Sequence, residues 1–269
     1  MRIPITSFLV EENYTGIYES LRSYEGVLFR VDEHLDRFFH SAKTLGLEIP
    51  GSREEIRKKL EKALEKSGQK EAFVRLTLVD GELSIIVGER KHPPAIYQKG
   101  VVLRTTPVRR KHSNQEFPEA KSTACLNQIL ATLEPAPTGN YEILFLDSNG
   151  YLTEARIGNF FIVKKGGGTN HRAPLLLTPP PVGLLDGVTR RFVIECARLG
   201  KIPVEEKPLT RHNLFNAREA FLTNTSWEIL PIREVDGRKI GLKIPGPVTE
   251  KLRAIFRREV NKEIRNAKD

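Results

Sequence analysis

Apolar residues recur at helical spacing in two segments near the start of the chain. The first predicts a helix over residues 32–45, with Asp32 as its N-cap and Gly46 just beyond its end. The second predicts a helix over residues 53–67, where glutamates and lysines alternate at helical spacing on the solvent side. The apolar face of the first helix consists of Leu35, Phe38, Phe39, Ala42 and Leu45.

Short runs of apolar and β-branched residues around these helices predict strands. Asp80-Gly81 separates two such runs and favours a tight hairpin turn between them. Helices and strands are therefore interspersed, which predicts a small α/β domain over residues 1–108. The predicted strands lie in residues 14–30, which hold two short ones, and in residues 72–79, 82–89 and 100–107.

The segment that follows is polar and has no apolar period, so residues 109–120 are predicted to link two domains. Beyond it the apolar pattern resumes and predicts a larger second domain over residues 121–269. Its predicted helices cover residues 121–133 and 188–199 and a last segment after Pro247. Its predicted strands cover residues 141–146, 151–155, 159–163, 175–178 and 219–224.

Composition adds that the chain is an ordinary globular protein. Of its 269 residues, 39% are hydrophobic and 29% are charged, which is typical of a soluble fold. No apolar run is long enough to span a bilayer, and the first residues lack the pattern of a signal peptide. Cys125 and Cys196 form no CxxC pair, so we expect a reduced, cytoplasmic protein without a metal site.

The net charge of +9 raises the question of a nucleic-acid partner. The lysines and arginines are mixed with glutamates along predicted helices, however, and no base-reading motif accompanies them. We therefore expect no specific nucleic acid. The net positive charge favours the binding of anionic small molecules instead, because it produces a positive electrostatic potential over a binding site.

Residues 154–190 carry the most informative chemistry in the chain. Glu154 lies on a predicted strand, a second strand ends at Thr178-Pro179, and the turn at residues 187–189 opens a helix. The first amides of a helix have no partner within it and bind anions well. A carboxylate and an anion site in one segment make a plausible cradle for a phosphorylated aromatic cofactor. Such a cofactor also needs a lysine, which must come from upstream in the chain.

Several short blocks follow one another along nearly the whole chain. They are YTGIYE at 14–19, His34 with Arg37 and Ser41, Lys121-Ser122, EARIGN at 154–159, LLT at 176–178, LDGVTR at 185–190 and FLTNTSWEILP at 221–231. In this order they resemble the class IV aminotransferases of fold type IV, which use pyridoxal 5′-phosphate (PLP). The group includes branched-chain and D-amino-acid aminotransferases and aminodeoxychorismate lyase.

The resemblance implies a fold and an assembly. It implies an α+β, two-domain fold like that of D-amino-acid aminotransferase, with a small α/β N-terminal domain and a larger C-terminal pseudo-barrel domain. The cofactor would lie between the two domains. It also implies a homodimer, because family active sites lie near the subunit interface.

The resemblance also implies roles for particular residues. Lys121 would be the catalytic residue, forming the Schiff base with PLP and moving the substrate's α-proton. Glu154 would keep the pyridine nitrogen protonated, and Leu185 would pack against one face of the ring. The implied cofactor-binding set is Arg37, Lys121, Glu154, Leu185, Val188, Thr189 and Thr225.

Some residues depart from the family pattern. Arg156 stands where a small residue is usual, two positions after Glu154. It is either a surface or linker contact, which the side-chain direction favours, or an anchor for the substrate carboxylate. Leu126 replaces a tyrosine usual in branched-chain enzymes, and the short Asp80-Gly81 turn lacks the arginines of the D-amino-acid type. The early block has Thr15 in place of an aspartate. The branch of the family therefore stays open.

The predicted activity is transfer of an amino group from an amino acid to a 2-oxo acid. The alternative enzyme is aminodeoxychorismate lyase, which uses the same lysine to release pyruvate and form 4-aminobenzoate without a 2-oxo acid acceptor. A cofactor-binding module that has lost catalysis is a third reading. The presence of both Lys121 and Glu154 argues against it.

Overall fold

The structure is a computed structural model that describes residues 16–89, 91–110, 117, 119–123, 141–165 and 173–268. Its first unit is a four-stranded antiparallel sheet with the strand order β2-β1-β3-β4. Asp80 and Gly81 form the turn of the β3–β4 hairpin at positive φ, as predicted. The strands are β1 (Ile17–Tyr24), β2 (Val27–Leu28), β3 (Phe73–Val79) and β4 (Glu82–Gly88).

Two helices, α1 (Val31–Thr44) and α2 (Arg53–Ser67), cover one face of this sheet. Side chains alternate along β3, so that every second one joins the core beneath the helices. Ser52 and Glu55 form a capping box at the start of α2, and Gly68 ends it in the left-handed conformation. The helices that the apolar period predicts are therefore present, and their apolar stripes form the core.

The start of α1 differs from the prediction. Its N-cap is Arg30, whose φ of 52° and ψ of 37° are left-handed, and no side chain caps the helix. The chain reverses sharply between β2 and α1, so the helix begins one residue before Asp32. Asp32 lies in the first helical turn instead, where its charge is favourable to the helix dipole. Its predicted role as the N-cap was therefore wrong.

The second unit is a nine-stranded sheet with the strand order β10-β9-β8-β11-β12-β5-β6-β7, with β13 paired to β12. Its first strands are β5 (Val101–Arg110), β6 (Tyr141–Asp147), β7 (Leu152–Ala155) and β8 (Asn159–Lys165). The others are β9 (Pro174–Thr178), β10 (Val204–Glu206), β11 (Glu219–Asn224), β12 (Glu228–Val235) and β13 (Arg238–Lys239).

This sheet is curled, so that its edge strand β7 comes close to β8 in the middle of the strand order. The N–H of Ala155 donates to the carbonyl of Gly158 at 2.7 Å, which brings the end of β7 against the start of β8. The strands from β8 through β11, β12, β5 and β6 to β7 therefore form a pseudo-barrel. One core fills the barrel, and another lies outside it under α4 (Val188–Leu199) and α6 (Pro247–Asn266). Short helices α3 (Ala95–Lys99) and α5 (Arg211–Phe215) complete the described elements.

Aromatic side chains join the two units. The Phe29 ring, between β2 and α1, packs edge-on against Phe192 of α4 with centroids 5.0 Å apart, and Phe192 packs on Phe256 of α6 at 4.8 Å. The neighbouring Arg30 bonds to Glu195 and Glu263 on the same two helices. The small sheet is thereby fixed against the barrel, and a cleft lies between them.

The middle of the chain departs from the predicted pattern in two places. Residues 121–123 are extended rather than helical, because Ser122 pairs with Ile17 at the start of β1. The rest of the helix predicted over 121–133 lies outside the described residues. Strand β5 pairs with β12 and β6, so residues 101–110 belong to the larger sheet. The domain boundaries proposed around residues 109–120 stay a prediction.

None of the helices within the described part of the chain is both long and apolar enough to cross a membrane. The described cysteine, Cys196, is buried and makes no disulfide. Burial raises the pKa of its thiol to about 12, so it is a packing residue in the core under α4.

A matched pair of isoleucines tests the packing of the core between the four-stranded sheet and helices α1 and α2. Ile56 on α2 is fully buried, whereas Ile86 on β4 is 63% exposed. We expect Ile56→Ala to lower the free energy of unfolding by about 2–5 kcal/mol, because it leaves a cavity. Ile86→Ala should change it by less than about 1 kcal/mol. Urea unfolding measures both, and equal losses would contradict the described packing.

Candidate active site

A cavity lies between the small sheet and the mouth of the barrel. Strands β1 and β3 form one wall, and the segment at residues 120–122 crosses beside them. The turn between β7 and β8, the start of α4 and the turn after β11 form the rest. Charged side chains from both units converge there, which is why the packing of the two units determines the site.

Backbone hydrogen bonds place Lys121 in this cavity. The N–H of Tyr18 on β1 donates to the carbonyl of Lys121 at 3.1 Å, and the Lys121 N–H donates to Ser41 Oγ on α1 at 3.0 Å. Thr123 then bonds to Gly16 through its N–H at 2.7 Å. The lysine therefore lies on a partly buried segment that is tied to β1 and α1.

The Lys121 amine has an unusual electrostatic environment. Its Nζ lies 4.6 Å from the centroid of the Tyr18 ring. Burial and the nearby Arg37 cation lower the pKa of Lys121 to about 8, against the opposing pull of Glu19 and Glu154. The neutral fraction of the amine near pH 7 is therefore far larger than for an ordinary lysine, as a nucleophile or a general base requires.

Glu154 is held in a fixed orientation on β7. It is 5% exposed, its Oε2 accepts from Asn159 Nδ2 at 3.1 Å, and the Leu185 N–H approaches its Oε1 at 3.4 Å. The same Asn159 amide donates to the Leu185 carbonyl at 2.8 Å. Asn159 thus connects the carboxylate on β7 to the segment that precedes α4.

The start of α4 offers an anion site. Its N-cap is Gly187, without a capping side chain, and Val188 and Thr189 follow as the first helical residues. A Cβ at position 187 would stand 2.3 Å from Asn159 Oδ1, so only glycine fits beside that amide. Leu185, just before the turn, also lines the cavity.

Arg37 reaches the cavity from α1 with the help of a buried carboxylate. Its Nε and Nη2 donate to Glu19 at 2.6 and 2.8 Å, and its Nη1 donates to the Asp186 carbonyl at 3.1 Å. His34 Nδ1 lies 2.9 Å from the same Glu19. Burial favours protonation of Glu19, but Arg37 and His34 hold its pKa well below the usual range. Arg37 is therefore a fixed cation beside the start of α4.

A turn between β11 and β12 carries Thr225 into the cavity. The next strand begins at Glu228, which has a left-handed φ of 62°. That carboxylate accepts from Tyr24 at 2.7 Å and pairs with Arg22 at 2.9 Å and Arg257 at 2.8 Å. Partners from both units thus fix the conformation of the turn, and with it the place of Thr225.

The Asn224 side chain closes this turn. Its Oδ1 accepts from the N–H groups of Ser226 at 2.9 Å and Trp227 at 2.6 Å. Its Nδ2 donates to the carbonyl of Ile157 in the β7–β8 turn at 3.0 Å. The two turns that form this side of the cavity are therefore joined, and two of their amides are already satisfied by the protein.

Two arginines beyond Arg37 also line the cavity. Arg156, in the β7–β8 turn, pairs through its Nε with Glu142 at 3.0 Å. Arg75 lies on β3, with its guanidinium 4.6 Å from the centroid of the Tyr18 ring. Its buried Nε has no hydrogen-bond partner among the described residues. Sequence reasoning missed Arg75, although a charged residue in the middle of an apolar strand was a usable signal.

All of the predicted site residues meet at this one cavity. Lys121, Glu154 and the anion-binding candidates face it from different elements, although they are up to 188 positions apart in the chain. Their individual roles stay predictions. The converging set is Arg37, Lys121, Glu154, Arg156, Leu185, Val188, Thr189 and Thr225.

Comparison with known proteins identifies the family. Residues 16–235 match the family described as amino-transferase class IV. A branched-chain-amino-acid aminotransferase of Pseudomonas aeruginosa is 34% identical over 262 residues, covering 90% of this chain and 82% of that protein. The chain therefore belongs to the class IV aminotransferases.

Solved structures agree with this assignment. A branched-chain amino acid aminotransferase crystallised with pyridoxamine 5′-phosphate superimposes with a TM-score of 0.82 at 28% identity, over 91% of this chain and 85% of that one. The Thermoproteus uzoniensis branched-chain aminotransferase with norvaline has a TM-score of 0.79 at 32% identity, with coverage of 91% and 85%. The predicted family, its fold type, the class of enzyme and its PLP cofactor are confirmed.

The lowered pKa of Lys121 predicts how apo-protein takes up PLP. The neutral amine is the reactive form, so the rate of uptake should rise with pH and reach half its maximum near pH 8. Visible absorbance after mixing with PLP measures that rate. A midpoint near the ordinary lysine value of 10.5 would contradict the described environment.

Proposed function

We propose that this cavity binds PLP and catalyses the aminotransferase reaction with Lys121 as its catalytic residue. The observation that carries the proposal is the Lys121 amine, with a pKa lowered to about 8, in one cavity with Glu154 and the start of α4. These three features are the ones that a phosphorylated pyridine aldehyde needs from a protein.

The donor set of the cavity fits PLP. When bound, the cofactor supplies an electron sink that acidifies the α-carbon of an amino acid. Glu154 would bond to the protonated pyridine nitrogen, and the amides of Val188 and Thr189 would bind the phosphate at the helix start. Buried Thr223 Oγ1 at the cavity wall has no hydrogen-bond partner among the described residues, so a polar ligand can satisfy it.

Further residues complete the cofactor site in this proposal. Arg37 would add a cation to the phosphate end, where its position is fixed by Glu19 and by the carbonyl of Asp186. Thr225 would add a hydroxyl from the β11–β12 turn, and Leu185 would pack against one ring face. The phosphate is therefore held by groups from both units, and uptake of the cofactor should strengthen their association.

Lys121 would move the proton at the substrate's α-carbon. A base with a pKa near the working pH both accepts and returns a proton efficiently, and a value of about 8 meets that condition. Its backbone is tied to β1 and α1, so the amine acts from a rigid support. Glu154 is equally rigid, because Asn159 holds it.

The substrate in this proposal is an α-amino acid with an apolar side chain. Arg156 would bind its carboxylate, since the amides of Ser226 and Trp227 are already bonded to Asn224. Phe73, Ile157 and Trp227 line the cavity and suit an apolar side chain. Relatives named branched-chain-amino-acid aminotransferases support this substrate class. A homodimer, which the family resemblance implies, and a cytoplasmic location, which the cysteine pattern implies, both remain predictions.

A spectroscopic titration tests the function. The holoprotein should lose visible absorbance when an L-amino acid with a branched apolar side chain is added without an acceptor, and a 2-oxo acid should restore it. A charged or D-amino acid should act more slowly. Absorbance that no amino acid changes would contradict the proposal.

The same titration separates the aminotransferase from the lyase alternative. A lyase would release pyruvate from aminodeoxychorismate without any 2-oxo acid acceptor. The relatives found are named as aminotransferases, which does not favour that alternative.

Replacement of Glu154 tests its role at the ring nitrogen. Glu154→Gln should retain bound PLP but slow exchange of the substrate α-proton with deuterated solvent by at least ~10²-fold, because the carboxylate no longer stabilises the developing charge. Proton NMR measures the exchange. The matched control is Glu82→Gln on the exposed surface of β4, which should exchange at the wild-type rate. Equal rates in both variants would contradict the assignment.

A further inference from the structure

We propose that Glu142 is a positioning residue that holds Arg156 in place to bind the substrate carboxylate. This inference rests on the proposed function of the cavity. It adds a residue that lies outside the cavity and contacts neither substrate nor cofactor.

The geometry ties the β7–β8 turn to strand β6 at two neighbouring positions. The Glu142 Oε1 accepts from Arg156 Nε at 3.0 Å, and the Arg156 N–H donates to the carbonyl of Ile143 at 2.9 Å. Both the backbone and the side chain of Arg156 are thus fixed by residues 142–143. A long and otherwise mobile side chain is held in one direction.

The pair leaves the ligand-binding part of Arg156 available. Only Nε donates to Glu142, and neither Nη atom has a partner within the described residues. Arg156 is about a third exposed, at 30%, and lines the cavity, whereas Glu142 is 3% exposed. A guanidinium held through its Nε still presents two N–H groups, which match the geometry of a carboxylate.

Stability alone is a poor reason for this pair. Burial raises the pKa of the Glu142 carboxyl above its usual value, and Arg156 opposes that rise. A buried ion pair commonly stabilises a fold no more than apolar residues of the same size do. The next residues on the same strand, Ile143 and Leu144, are both buried and apolar, so an apolar residue at position 142 would fit the pattern of this strand. A role in orienting Arg156 accounts for a carboxylate at this position.

The backbone N–H groups on this side of the cavity that could bind a carboxylate already have hydrogen-bond partners. Asn224 satisfies the amides of Ser226 and Trp227 and also holds the Ile157 carbonyl next to Arg156. On this side of the cavity, a substrate carboxylate would therefore depend on Arg156, whose direction is fixed by Glu142 and by the neighbouring turn.

The test is binding of 4-methylvalerate, a carboxylate without an amino group, to holoprotein by isothermal titration calorimetry. Glu142→Gln should weaken binding about 10-fold, which is about 1.4 kcal/mol, because the amide holds the guanidinium less firmly. With an amino acid substrate, the loss should appear as a higher KM much more than as a lower kcat. Glu142→Asp, which draws the carboxylate back by one methylene, should also weaken binding.

A double-variant cycle decides whether Glu142 acts through Arg156. In an Arg156→Met background, Glu142→Gln should have no further effect on binding, and a full additional 10-fold loss would overturn the inference. Wild-type affinity in both Glu142 variants would overturn it as well. If wild-type holoprotein binds no carboxylate and transfers no amino group, the proposed function fails instead.

Discussion

The structure depends on the backbone pairing that ties residues 121–123 to the start of β1. The Tyr18 N–H bonds to the carbonyl of Lys121, and the Thr123 N–H bonds to the carbonyl of Gly16. A Cβ on Gly16 would stand 2.5 Å from Val79 Cγ2 and 2.6 Å from the Leu78 carbonyl, so only glycine allows this close approach. The pairing of residues 121–123 with β1 places Lys121 between two sheets, where burial can lower the pKa of its amine.

The charges around the cavity follow one arrangement. Arg37 faces the cavity and is held by the fully buried Glu19, while Arg156 is held by the buried Glu142. In both cases the carboxylate lies deeper than the cation. The buried carboxylate restricts the arginine side chain without occupying the cavity. The conformational entropy of that side chain is therefore lost on folding rather than on ligand binding. A positively charged site for phosphate and carboxylate results.

Much of this arrangement was predictable from the sequence, and the rest was not for identifiable reasons. Apolar periods located α1 and α2, and the family blocks located Lys121 and Glu154. Local pattern could not show that residues 121–123 pair with β1, because that contact joins positions over 100 residues apart. For the same reason the sequence did not show that Glu19 and Glu142 are buried against arginines. Arg75 was visible as a charge within an apolar strand and was missed.

The most direct test of the account is to identify the residue that carries the cofactor. Holoprotein is reduced with borohydride, digested and mapped by mass spectrometry for the phosphopyridoxyl group. The account predicts the label on Lys121, because this amine is buried in the cavity beside Glu154 and Arg37. A label on Lys164, or on another lysine outside the cavity, would contradict it.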